Sequence, residues 1–359
     1  MSGSRAPANS LMDNYASVVH QMEAFGVEFT SKDLPLQIPT PKRKTCGKKG
    51  KWWYWLQEFR PHTGGTYVVG KFGTYKHGGS EAKVEVDWKP LSDADRARFR
   101  AEHEAAERRA KEAKEQAALR AAVTATELWP RASRDGHSPY LERKGVQGES
   151  CRYLAETLWL QRHEAGKRAI ELPPGTLVVP LIRYDKAKTD ALRGLQLVKP
   201  DGFKIYTEGV SKNGCAVRLG EVDASTRVAM ICEGYATGLS IRMATGRRWP
   251  VFVALDAYNL VFVVEILREV LPDVHLLICA DDDWKTADHE GKNPGRTKAK
   301  MAAKTTPQCD IVWPVFDGDL RQEKDTDFND LHLREGVEAV ERQLVGVLSM
   351  IENGVRLGR

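Results

Sequence analysis

The sequence predicts an α/β protein: a parallel sheet flanked by helices, preceded by a mixed basic α+β subdomain, a long helical linker and a small β-rich N-terminal module. Three observations predict it. Between Arg227 and Leu333, wholly apolar runs of strand length alternate with helical patterns, as in a parallel sheet covered on both faces. From Ser92 to Thr126 the chain is almost entirely Ala, Glu, Arg and Lys, the composition of a long solvated helix. Ahead of that helix, aromatic and β-branched runs flank glycine-containing turns, the pattern of hairpins.

Composition sets outer limits. The 359 residues are 42% hydrophobic and 29% charged, which excludes disorder and fibrous repeats for most of the chain, and at roughly 100–200 residues per domain the length predicts two or three units. No apolar run reaches the roughly 18 residues of a bilayer span, and Met1-Ser2-Gly3-Ser4-Arg5 lacks the apolar core of a signal peptide. A cytoplasmic location with no membrane partner is expected. Cys46, Cys151, Cys215, Cys232, Cys279 and Cys309 lie far apart with no Cys-x-x-Cys, so reduced thiols and no zinc are expected. Basic and acidic side chains, 54 and 49, nearly cancel to a net charge of +5. The total therefore says little about a polyanionic partner, and the distribution must decide.

The first module spans residues 1–90. Met12, Tyr15, Val18, Val19, Met22 and Phe25 are spaced for a short amphipathic helix within Ser10 to Phe29 that ends at Gly26. A basic and aromatic stretch follows, with Lys42-Arg43-Lys44, Lys48-Lys49-Gly50-Lys51 and Trp52-Trp53-Tyr54-Trp55. The turn at His62-Thr63-Gly64-Gly65 leads to Thr66-Tyr67-Val68-Val69; Phe72-Gly73-Thr74-Tyr75 and Lys83-Val84-Glu85-Val86 extend the hairpin beyond Gly78-Gly79. Lys51, Trp53, Trp55 and Lys71 are candidates for binding single-stranded nucleic acid, since aromatic rings stack bases at about 1–3 kcal/mol each. Consecutive aromatics in a strand point to opposite faces, so at least half of Trp52 to Trp55 belong to the core.

Pro90 closes this module. Ser92-Asp93-Ala94-Asp95 reads as a helix start with a hydroxyl cap and a carboxylate three residues on, and the linker helix covers 91–128. Residues 129–226 form the basic subdomain. In it Leu177 to Arg183, Leu192 to Val198 and Phe203 to Tyr206 read as antiparallel strands joined by turns at Asp185-Lys186 and Pro200-Asp201-Gly202. Arg183, Arg193, Lys199, Lys204, Lys212 and Arg218 give this stretch a local cationic excess that the whole-chain charge conceals.

In 227–335, Val228 to Cys232, Val251 to Leu255, Val274 to Cys279 and Cys309 to Trp313 read as the strands of the parallel sheet, with a C-terminal helix in 336–359. Ligands of such sheets bind beyond the carboxyl ends of the strands, where Glu233, Asp281 and Asp283 fall. Asp281 and Asp283 are two apart, so in an extended segment they share a side. Three carboxylates converging there repel one another unless a cation neutralises them, and hard oxygen donors select Mg²⁺ or Mn²⁺.

Cys232-Glu233-Gly234-Tyr235 followed by Ala280-Asp281-Asp282-Asp283 resembles the TOPRIM domain of DnaG-type primases, type IA and II topoisomerases and some nucleases. Lys324-Asp325-Thr326-Asp327-Phe328-Asn329-Asp330-Leu331 resembles the third acidic motif of phage and plasmid primases. Gly291 to Ala299 and Pro139 to Gly145 are similar to that branch as well. The resemblance covers about residues 138–335 in the family's order. It implies a DNA primase that makes short primers from nucleoside triphosphates on single-stranded DNA, with a separate replicative helicase as partner. Catalysis then falls to Glu233, Asp281 and Asp283, with Asp325, Asp327 or Asp330 completing the metal cluster. Arg183, Arg193, Lys199, Lys204, Lys212, Arg218 and Lys298 bind template or triphosphate. The family's N-terminal zinc ribbon is missing, and Leu255-Asp256-Ala257-Tyr258-Asn259-Leu260 replaces its small-residue loop after the second strand. No Walker-type loop occurs. A TOPRIM nuclease and a non-catalytic single-strand-binding accessory are the alternatives.

Overall fold

The computed structural model describes residues 12–354 except 63, 76–78, 87–91, 164–165 and 292; Ser10, Thr63, Gly78, Pro90 and Lys292, on which sequence expectations fall, lie outside the described residues. The chain divides into two compact units, Met1–Ala113 and Lys114–Arg359.

In the first unit, α1 (Tyr15–Ala24) precedes β1 (Lys44–Cys46), β2 (Trp52–Phe59), β3 (Tyr67–Thr74) and β4 (Ser80–Lys83), which pair antiparallel in sequence order. The spacing of Val18 and Met22 buries both against Leu36, Tyr54, Leu56, Val68 and Phe72. The long helix α2 (Asp93–Leu128) begins where expected: the Asp95 N–H donates to Ser92 Oγ at 3.1 Å, and the Ser92 hydroxyl donates back to the Asp95 carboxylate at 2.8 Å.

The sequence reading of α2 as a solvated spacer needs correction at its C-terminal end. Ala121, Ala125 and Leu128 are buried there, and Ala125 and Leu128 join a core with Leu154, Leu160, Leu172, Val178, Leu195 and Leu197 of the second unit. The alanine stripe is a close-packing surface; small side chains let the helix approach the sheet.

The second unit continues with α3 (Pro139–Arg143), β5 (Arg152–Tyr153), β6 (Leu158–Leu160), β7 (Ile170–Leu172), β8 (Leu177–Ile182), β9 (Leu192–Val198) and β10 (Lys204–Tyr206). As the turns predict, β8, β9 and β10 are antiparallel, in a sheet of order β10-β9-β8-β5. Next come β11 (Val217–Leu219), β12 (Val228–Cys232), α4 (Tyr235–Ala244), β13 (Val251–Val253), α5 (Leu260–Val270), β14 (His275–Cys279), α6 (Trp284–Glu290), α7 (Pro294–Ala303), β15 (Cys309–Val312), α8 (Phe328–Glu335) and α9 (Val337–Glu352).

The sheet of order β11-β13-β12-β14-β15 is parallel apart from the edge strand β11. Its strands are apolar throughout because each face has its own core. Met230, Cys232, Val253 and Leu277 pack with Leu239 of α4, Leu331 of α8 and Leu344 of α9. Alternate residues Ala229, Ile231, Phe252 and Ile278 pack with Val264 of α5 and Ala299 of α7. Because β12 lies between β13 and β14, the chain leaves it first to one side and then to the other, which opens a crevice at the strands' carboxyl ends. Cys232 and Cys279 are register partners, so the segments beginning at Glu233 and Ala280 leave the sheet side by side. Among the described residues, no helix is long and apolar enough to cross a membrane.

One buried side chain fixes the approach of the basic subdomain to this edge. Asn259 Oδ1 accepts the Gly214 N–H at 2.7 Å, and its Nδ2 donates to the carbonyls of Cys215 at 2.8 Å and Ala254 at 2.7 Å. Asn259→Ala orphans those buried groups and is expected to lower stability by about 1–3 kcal/mol, read as a lower urea midpoint. An unchanged midpoint contradicts this role.

Candidate active site

The acidic loop after β14 is built onto the start of α7. Asn293 caps that helix by accepting the Arg296 N–H at 3.1 Å, accepts the Asp283 N–H at 3.2 Å and donates to Asp282 Oδ1 at 2.6 Å. Gly295 donates its N–H to Asp283 Oδ2 at 2.7 Å. A Cβ on Gly295 would meet the Asp281 carbonyl at 2.4 Å, so only glycine permits this approach. The buried Asp282 is ion-paired with Arg296 at 2.8 Å and Arg321 at 3.0 Å. It anchors the loop, leaving Asp281 and Asp283 on either side of it for chemistry.

The third acidic motif is a helix start. Asp327 caps α8, accepting the N–H groups of Asn329 at 2.7 Å and Asp330 at 2.9 Å, while its Oδ2 accepts the Thr237 hydroxyl at 2.8 Å. Asp330 reaches back to the Thr326 N–H at 3.0 Å and stands 3.8 Å from Lys144 Nζ. Asn329 is fully buried and donates to the Lys144 carbonyl at 2.8 Å and Ser240 Oγ at 2.9 Å, which fastens the upstream Pro139 to Gly145 motif to α8 and α4. Asp325, expected among the metal ligands, is not brought into the cluster. Burial opposes its charge, but two hydrogen bonds from Arg334, at 2.9 and 3.2 Å, and the Gln322 N–H hold its carboxyl below the usual range. An acid already matched by a guanidinium is a strut.

Glu233, Asp281, Asp283, Asp327 and Asp330 act on one another electrically. Burial pushes the Asp281 carboxyl well above the usual carboxylate range, and the charges of Glu233, Asp327, Asp283 and Asp330 push it further. Glu233 is pushed up to about 7 by burial, then by Asp256 and Asp283, against an N–H from Ala257. Burial and Asp327 raise Asp330. Asp281 Oδ1 is buried with no hydrogen-bond partner, which costs free energy unless a ligand meets it. Among the described residues, no three His, Cys, Asp or Glu side chains stand at ligand spacing. The donor chemistry and the orphaned oxygen fit a hard divalent cation.

The expected cationic residues are dispersed. Arg183 is bonded to Asp185 at 2.8 and 2.7 Å, Arg218 is paired with Glu221 at 2.8 Å, and Arg193 donates to the Asp190 carbonyl at 3.4 Å. Lys199 and Lys204 flank the hairpin turn between β9 and β10, and Lys204 is exposed. Lys212 pairs with Asp256 at the crevice, and Lys298 lies 4.2 Å from the Tyr258 ring. In the first unit, Trp53 is 3% exposed, sandwiched between Gly73 and the Arg43 guanidinium 3.8 Å from its ring, so as it stands it offers no face to a base. Lys71 is tied to Glu107 at 2.8 Å; Trp55 is half-buried 5.9 Å from the His103 ring, and Lys51 is exposed. Sequence reasoning missed Asp256 and Thr237 beside the acids. Asp256 follows the apolar strand β13 at its carboxyl end, the same cue that singled out Glu233 and Asp281.

Residues 228–338 match the Toprim domain family. A DNA primase TraC of Escherichia coli is 27% identical over 327 residues, 87% of this chain and 20% of that protein. A second Escherichia coli DNA primase TraC is 36% identical over 124 residues, 34% of this chain and 11% of its own length. The chain thus spans about a fifth or less of the curated relatives it matches. Among solved structures, the primase fragment of the bacteriophage T7 primase-helicase protein aligns at 14% identity over 47% of this chain and 62% of that one, with TM-score 0.35. The RNA polymerase domain of Mycobacterium tuberculosis primase DnaG, in complex with double-stranded DNA, aligns at 15% over 64% and 80%, with TM-score 0.38. The sequence matches agree with the motifs: residues 228–338 match a Toprim domain, and the chain is similar to proteins named DNA primase TraC.

Neighbouring acids make opposite predictions. Because the pKa of Asp281 is raised on folding, its ionised form destabilises the metal-free fold at neutral pH, and that cost shrinks as pH falls from the raised value and is gone below the ordinary carboxylate range. Asp281→Asn is therefore expected to raise Tm in EDTA at pH 7.5. Asp282→Asn unpairs two guanidinium groups and is expected to cost about 3–5 kcal/mol. The reverse order in thermal unfolding contradicts the assignment.

Proposed function

We propose that this TOPRIM-bearing chain is a DNA primase, joining nucleoside triphosphates into short primers on single-stranded DNA in phage- or plasmid-type replication. It acts in the cytoplasm beside a separate replicative helicase. The observation that supports the reading most is the buried, unpartnered Asp281 oxygen among four further carboxylates at the crevice of the sheet. The kinship with proteins named DNA primase TraC agrees with it.

Glu233, Asp281, Asp283, Asp327 and Asp330 would hold Mg²⁺ or Mn²⁺. When bound, the cation polarises the α-phosphate and neutralises charge on the departing pyrophosphate. The chain's own residues do the rest. Gly295 and Asn293 fix the Asp281 to Asp283 loop, and Thr237 with the α8 cap fixes Asp327, so the acids are held without reorganisation at the moment of reaction. Glu233 would serve either as a further ligand of the cation or as the carboxylate that takes the proton of the attacking 3′-hydroxyl. Lys212 serves the triphosphate, while Lys199, Lys204, Arg193, Arg183, Arg218 and Lys298 serve phosphates of template and primer.

Labelled-nucleotide incorporation on single-stranded DNA with Mg²⁺ or Mn²⁺ tests this. Short products that require nucleoside triphosphates are expected, and Asp281→Asn should reduce them by roughly 100-fold or more. Metal-dependent loss of input DNA without triphosphates points instead to a nuclease; an active Asp281→Asn variant removes the metal assignment.

A further inference from the structure

The loop after β13 carries an acid that the proposed reaction leaves unused. Asp256 forms an ion pair with Lys212, and its Oδ1 accepts the Tyr258 N–H at 2.9 Å, capping the short turn Ala257–Asn259. Lys212 Nζ lies 5.0 Å from the ring of Tyr206, whose hydroxyl accepts a hydrogen bond from the buried Gln196 at 2.6 Å. Asn259 locks the backbone at Gly214 and Cys215 to the strand end at Ala254, so the two charges meet because their loops are fixed together. Asp256 is close enough to Glu233 for their charges to repel. The ammonium is thus held at the rim of the acidic cluster with its charge already matched. The side chains of Lys212 and Asp256 remain 32% and 28% exposed, so a ligand can reach them.

We propose that Asp256 is a positioning residue for the incoming nucleotide, holding Lys212 at the crevice in the free protein and yielding its ammonium to the nucleotide's triphosphate. The proposal rests on the primase reading. A half-exposed ion pair is weak, whereas a triphosphate offers one ammonium several anionic oxygens at once. Asp256 therefore competes with the ligand for Lys212, and its removal tightens nucleotide binding through Lys212 alone. Asparagine can keep the bond to the Tyr258 N–H while removing the charge, so the turn has its cap in the test variant.

The experiment is calorimetric titration of the full chain with Mg²⁺–ATP, without template, in a double-mutant cycle. Asp256→Asn is expected to bind about three- to fivefold tighter than wild type. Lys212→Met is expected to bind more weakly, and adding Asp256→Asn to it should change nothing further. Asp256→Ser, uncharged and still able to accept a hydrogen bond, should match Asp256→Asn. Unchanged or weaker binding by Asp256→Asn overturns the proposal and leaves the primase reading standing, as does an equal gain in the Lys212→Met background. Mg²⁺–ATP binding that is absent, or indifferent to Lys212, overturns the nucleotide role of this site and the proposal with it.

Discussion

Repulsion among like charges is the constraint on which the second unit is organised. Glu233, Asp281, Asp283, Asp327 and Asp330 are gathered at the carboxyl edge of one parallel sheet, where burial weakens the screening that would let them coexist. Such a group does not assemble for stability, and much of the surrounding structure is what holds it. Asp282, between two of the acids, spends its own charge on Arg296 and Arg321. Asn293 and Gly295 bind the loop through polar groups that add no charge. Asp327 and Asp330 are kept by helix-start N–H groups, where the positive end of the helix dipole favours carboxylates.

The sheet makes this possible because its cores are independent of the site. Both faces of β12, β13 and β14 are filled by aliphatic side chains, so the strands stop at a fixed level and hand the chain to polar loops. The basic subdomain reaches the same edge through hydrogen bonds from Asn259 and through Lys212 with Asp256. Among the other cations singled out there, Arg183 and Arg218 are paired within their own loops with Asp185 and Glu221, whereas Lys204 is exposed.

The parallel sheet, the antiparallel hairpins and the acids at the strand ends were legible because each depends on local pattern. A fully apolar strand followed at once by Glu or Asp is visible without knowing what packs on it. Legibility failed where partners come from far along the chain. Nothing near Asp325 announces Arg334 as its guanidinium partner over Arg321, and nothing in Trp52 to Trp55 shows that Arg43 and Gly73 enclose Trp53. The alanines of α2 look solvated until Leu154, Leu195 and Leu197 are seen to need a smooth surface. Asp256 stood at a strand end as visibly as Glu233, but its partner Lys212, 44 residues earlier, gives no local sign of the pairing.

A Mn²⁺ titration of the metal-free protein, followed by the electron paramagnetic resonance of free Mn²⁺, tests the central claim most directly. Saturable uptake at neutral pH is predicted for the wild type, and its loss when Glu233, Asp281 and Asp283 are together replaced by their amides. Undiminished uptake by that triple variant, or none by the wild type, would contradict the account.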